Sequence, residues 1–110
     1  MQNFYLEKDS ILEDLGNGIV RKICGYNGSL MMVKIYFQEG AVGKLHSHPH
    51  EQMTYVLEGQ FEFIIGNKKR IVKEGDVLYK EANISHGAIC LEKGILLDIF
   101  TPIREDFLKE

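Results

Sequence analysis

Three things are scarce in this sequence: cysteine, charge of one sign and long apolar runs. The only cysteines, Cys24 and Cys90, stand far apart and form no CxxC pair, and no positively charged leader followed by an apolar run opens the chain. A reduced, cytoplasmic setting is expected. Uninterrupted apolar stretches, such as Ile95–Leu97, fall far short of the roughly 20 residues that cross a bilayer, so no membrane partner is expected. Net charge is only -3, with acidic and basic residues interspersed. Without a basic stripe to neutralise phosphates, nucleic acid is not an expected partner either.

What is present is enough apolar residue to build one core: 45% of 110 residues, which suits a single domain over 1–110. Short β-rich runs recur between glycine or asparagine breaks: Ile19–Cys24, Leu30–Phe37, Gln52–Glu58, Gln60–Ile65, Lys69–Val72, Asp76–Tyr79, Gly87–Leu91 and Ile95–Phe100. That pattern predicts an all-β sandwich or barrel. Breaks such as Asn27-Gly28, Glu58-Gly59, Gly66-Asn67, Glu74-Gly75 and Lys93-Gly94 tolerate positive φ and read as tight hairpins. Alternation is clearest in Phe61, Phe63 and Ile65 against Gln60 and Glu62, and in Met53, Tyr55 and Leu57 against Gln52 and Thr54. Met53 and Tyr55 are read as core, or else as pocket walls. A single short helix is expected at Arg104–Lys109.

Three of the four histidines fall in His46-Ser47-His48-Pro49-His50, followed by Gln52. In an extended strand, side chains two apart share a face, which places His46 and His48 together with Gln52 in the same parity, unless Pro49 bulges the strand. Neutral imidazoles are the commonest transition-metal ligands, and His86 is the natural third. Three imidazoles and an amide oxygen suit zinc, nickel, iron, manganese or cobalt without choosing among them. The competing reading is a hydrogen-bonded histidine network around an empty cup.

The spacing Gly40-x5-His46-x-His48-x3-Gln52-x6-Gly59 resembles the first cupin motif, with Gln where most cupins carry Glu. The segment Gly75-Asp76-Val77-Leu78-Tyr79…Asn83-Ile84-Ser85-His86-Gly87 resembles the second. The motifs cover about 40–59 and 75–90. Two further runs, His48–Val56 and Leu97–Phe107, together with Asp14-Leu15-Gly16-Asn17-Gly18-Ile19-Val20-Arg21-Lys22, look like the pectin-degradation protein KdgF family. Two departures stand out: Lys80-Glu81-Ala82 replaces a hydrophobic residue and two prolines, and Cys90 replaces the final Asn of motif two.

The resemblance implies a cupin fold, a double-stranded β-helix or jelly-roll barrel, with a metal on His46, His48, Gln52 and His86. It also implies an enzyme that turns 4,5-unsaturated monouronates from pectin or alginate into linear 5-keto-4-deoxyuronate. The family's active-site set maps onto Asp98, Phe100 and Arg104. Asp98 is expected to move protons, Arg104 to pair with the substrate carboxylate, and Phe100 to pack on the sugar. His50 is expected to have a supporting or pocket role. Alternatives from the same fold are an isomerase or dioxygenase acting on another small acid, or a non-catalytic module that binds a sugar acid. A homodimer paired through sheet edges is expected for a barrel of this size.

Overall fold

Glycine and asparagine close the short hairpins where the local sequence demands it. The computed structural model describes residues 2–108. It contains β1 (Leu12–Gly16), β2 (Ile19–Asn27), β3 (Leu30–Phe37), β4 (Val42–His46), β5 (Glu51–Ile65), β6 (Lys68–Lys73), β7 (Val77–Lys80) and β8 (His86–Thr101). Two-residue turns at Gly28-Ser29 and Gly66-Asn67 join β2 to β3 and β5 to β6, each with its glycine at positive φ. The left-handed conformation costs glycine nothing, so these turns hold the register of the strands they connect.

Glu74-Gly75, also expected as a hairpin, is a turn between β6 and β7, each of which pairs with β5 and not with the other; two further breaks are not turns at all. Glu58-Gly59 and Lys93-Gly94, expected as hairpins, lie inside β5 and β8, which run on for 15 and 16 residues. The two strands pair along nearly their whole length, with register shifts around Glu58 and Gln60. A Cβ added at Gly59 would sit 2.5 Å from the Lys93 carbonyl oxygen, and one at Gly94 would meet the Phe61 ring at 2.8 Å. Glycine is needed here for close backbone approach at a bend, and a one-dimensional reading cannot tell that need from a turn.

The bend splits each long strand between two leaves. In one leaf the first half of β5 lies between β7 and the second half of β8, which continues through β3 and β2 to β1. In the other, the second half of β5 lies between β6 and the first half of β8, which also pairs with β4. All pairings are antiparallel, and together they make the expected jelly-roll barrel. Strands β1 and β4 escape a reading based on alternation: β1 is exposed throughout, and β4 contains Gly43 and buries no residue.

Phe37, Val56, Phe61, Phe63, Leu78, Cys90 and Leu96 form the main core, with Phe37 and Phe61 meeting edge to face at 5.2 Å. A second cluster gathers Met31, Val33 and Phe100. The C-terminal helix expected over Arg104–Lys109 is only a 3-10 turn, Glu105–Leu108; Lys109 lies outside the described residues. So short a segment cannot offset the cost of nucleating an α-helix. Both cysteines are free, and among the described residues no helix is long and apolar enough to cross a membrane.

Candidate metal centre

The four proposed donors come from three strands and one turn. His46 ends β4, His48 lies in the turn that follows, Gln52 is the second residue of β5, and His86 opens β8. The single strand expected to align the first three is interrupted across Ser47–His50, where Pro49 sits. Strand pairing aligns them instead: β4 and β5 both flank β8, and His46 stands directly opposite His86. The two rings are 4.4 Å apart at their centroids, and donor nitrogens of His46, His48 and His86 all lie within 4.8 Å of one another.

Backbone carbonyls fix the tautomers of two of these rings. Nδ1 of His46 lies 2.7 Å from the Lys44 oxygen, and Nδ1 of His86 lies 3.1 Å from that of Ile84. A carbonyl only accepts, so each Nδ1 carries the proton and each Nε2 presents a lone pair. The turn bearing His86 is fastened to the first motif by the Asn83 amide, which donates to the His48 carbonyl at 2.7 Å. Asn83 holds the positive φ of 68° that this turn requires.

The donor chemistry fits a divalent transition ion. His48 Nε2 and Gln52 Oε1 are 3.0 Å apart. That is a hydrogen-bond distance, and donors sharing one ion through bonds of about 2.1 Å stand about 3.0 to 3.4 Å apart, so the two side chains are placed for either. Burial also favours the neutral form of His48 and His86, which ligation requires. It pushes His86 down to about 4, with the Lys80 charge adding to the effect. His48 is likewise lowered by burial and then by the Arg104 charge. His50 stands apart from the cluster; its ring packs 5.3 Å from that of His48, and its Nδ1 is buried without a partner.

Beside these donors is a cavity of about 230 Å³ lined by Gln52, Lys80, His86, Asp98, Phe100 and Arg104, among others. Asp98 and Phe100 alternate along β8 and both point inward, at 4% and 2% exposure. Phe100 serves the second core cluster as well as the cavity wall. Arg104 reaches the cavity, and its Nε and Nη2 donate to Asp106 at 3.0 and 2.8 Å. It also lies over the Phe107 ring, as does Arg21 at 3.9 Å from the centroid.

Three residues at this site were not singled out from the sequence for a role there: Thr54, Lys80 and Arg21. Lys80, noted only as a departure from the motif, ends β7 with its ammonium inside the barrel, 3.0 Å from Thr54 Oγ1 and 4.8 Å from the Phe63 ring centroid. Burial lowers its pKa, and the charge of Asp98 opposes that shift. Thr54 is completely buried and donates to Asp98 Oδ1 at 2.6 Å. Its parity with Gln52 ties the two to one face of β5, but nothing in the local sequence shows that Lys80 and Asp98 meet it there. Gln52 and Thr54 face inward, whereas Met53 and Tyr55, read as core or pocket wall, lie on the outer surface at 44% and 41% exposure.

Comparison with known proteins agrees with this geometry. Residues 33–100 match the family model described as the cupin domain. The pectin degradation protein KdgF of Dickeya dadantii is 43% identical over 110 residues, covering 98% of this chain and all of that one. Among solved structures, an RmlC-like cupin from Shewanella frigidimarina superposes with a TM-score of 0.92 at 39% identity, covering 97% of this chain and 96% of its own. KdgF from Halomonas sp. gives 0.91 at 35% identity, covering 97% and 99% respectively.

Proposed function

We propose a function from one premise: the chain belongs to the cupin family, and within it to the family of the pectin degradation protein KdgF. The substrate is a 4,5-unsaturated monouronate, and the product is the linear 5-keto-4-deoxyuronate. The observation that carries this reading is one cavity lined by His46 and His86 of the three-histidine cluster together with Asp98, Phe100 and Arg104, in a chain whose likeness to KdgF spans almost its full length.

The reaction asks for few groups. A proton must add to C4 of the enol ether, and a water oxygen must add to C5 and release a proton. The resulting hemiketal then opens: the bond from C5 to the ring oxygen breaks, that oxygen takes a proton, and the C5 hydroxyl loses one to become the ketone; C1, left with two hydroxyls, loses water to become the aldehyde, so the reaction is a net isomerisation. A divalent ion held by His46, His48, Gln52 and His86 supplies Lewis acidity and a fixed charge for substrate oxygens when bound. Asp98 moves the protons. Its Oδ1 is held by Thr54, so the carboxylate is aimed while Oδ2 serves the substrate. Arg104 receives the uronate carboxylate with the planar fork that now holds Asp106, and Phe100 covers the apolar face of the sugar.

The test is the loss of enol-ether absorbance from unsaturated galacturonate with metal-loaded protein, against the uncatalysed rate and a His46→Ala control. Acceleration that depends on His46 supports the reading. No acceleration at verified metal occupancy would overturn it.

We also infer a homodimer, because a barrel of this size gains buried area by pairing. Light scattering at micromolar concentration that finds only monomer would end that inference.

A further inference from the structure

We propose that Thr54 is a positioning residue for the metal site: its hydroxyl fixes the Gln52 amide so that oxygen, not nitrogen, faces the imidazoles. This rests on the reading of His46, His48, Gln52 and His86 as donors to one divalent ion. An amide has two ends of nearly equal shape and opposite chemistry. Only the carbonyl end can bind a cation; the other presents two protons. Something must choose between them.

The choice follows from which groups can only donate and which can only accept. Thr54 has one hydroxyl proton and two lone pairs. It lies 2.6 Å from a carboxylate oxygen of Asp98, which accepts, so the proton goes there. It lies 3.0 Å from the Lys80 ammonium, which donates, so one lone pair is used there. The third neighbour is the Gln52 amide at 3.1 Å. With its proton already committed, Thr54 can only accept from that neighbour, so the NH2 end of Gln52 must face it. The carbonyl oxygen is then turned to His48 Nε2, 3.0 Å away, where the shared ion would lie. Reversing the amide would set its oxygen against an oxygen with no proton left to give, and its NH2 against a cation.

All members of the chain are buried. Gln52, Lys80 and Asp98 are 3–4% exposed and Thr54 is 0% exposed, so water does not compete for these bonds. A glutamate in place of Gln52 would not need the device, because both ends of a carboxylate are oxygen. The role of Thr54 is therefore specific to the amide at position 52.

That dependence supplies the test. Metal affinity is measured by competition with a chromophoric chelator, for zinc, in four proteins: the native chain, Thr54→Val, Gln52→Glu and the double variant. Thr54→Val should weaken binding by about 10–100-fold beside Gln52, the usual scale for losing a group that orients a ligand, and change it little beside glutamate. Thr54→Ser, which keeps the hydroxyl, should restore native affinity. An equal loss in both backgrounds, or no loss in either, would overturn the proposal. The reading of the metal site fails separately if His46→Ala binds zinc as tightly as the native chain, and the proposal falls with it. A measurement on the native protein covers the case in which Thr54→Val does not fold. In the zinc-loaded chain the Gln52 side-chain NH2 should exchange its protons slowly by NMR; exchange at the rate of a free amide would overturn the lock.

Discussion

Strand β5 carries the same two-residue alternation on both sides of Gly59, with opposite sense. Beyond the bend, Phe61 and Phe63 point inward while Gln60 and Glu62 are partly exposed, the usual partition. Before it, Gln52 and Thr54 point inward and Met53 and Tyr55 face out. One strand thus builds an apolar core with one half and a polar cup with the other. Burying a polar group without a partner costs about 1–3 kcal/mol, and the inward polar side chains of the first half, Gln52 and Thr54, have found theirs. The inversion marks where the fold gives up apolar packing for chemistry.

The widest separation of the two halves should come from His86→Ala. Removing that donor from the cup should take turnover to the uncatalysed background, with zinc no longer retained through gel filtration, while the fold seen by circular dichroism persists. Phe61→Ala should do the reverse, lowering stability by about 3–5 kcal/mol in denaturant titration and leaving the activity of the folded fraction unchanged. If Phe61→Ala lowered activity as far as stability, the halves would not be separable.

Asp98→Asn tests the cup more finely. It keeps the size of the side chain and its place beside Thr54, yet should lower turnover by about a hundredfold or more, the common scale for general acid–base catalysis. Unchanged turnover would remove Asp98 from the proton-moving role.

Acid should produce the smallest effect, again through the cup. His86 is held near 4 in the fold, against an ordinary value of 6.5. Its folded pKa is lowered, so between about 6.5 and 4 the unfolded chain binds more protons and gains stability relative to the fold. The metal-free protein should therefore lose melting temperature progressively as pH falls through that window. The slope from this group should flatten below 4 and vanish above 6.5. A melting temperature constant from pH 7 to 4 would show that His86 is not kept neutral by burial.

The candidate ligands were legible because the first motif is local: two imidazoles and an amide within seven residues, at cupin spacing, leave little choice of chemistry. The strand argument used to align them was not sound, since Pro49 lies where the chain leaves β4 and enters β5. Asp98 and Phe100 were legible through resemblance. Thr54 was not, because a threonine in a strand is ordinary, and nothing near it in sequence shows that Lys80 and Asp98 lie on either side. Lys80 stood out only as a departure, and its partner is 26 positions away.

By itself, the sequence determined the class of fold, the tight hairpins at Gly28-Ser29 and Gly66-Asn67 and a set of candidate donors, because strand propensity, positive φ and ligand chemistry are properties of single residues or near neighbours. Tertiary structure decided which glycines bend strands instead of ending them, which face of β5 is the inside, and how the Gln52 amide is turned. Each of those outcomes depends on residues brought together across the barrel, as Thr54 and Asp98 are over 44 positions, and no local pattern records such a contact.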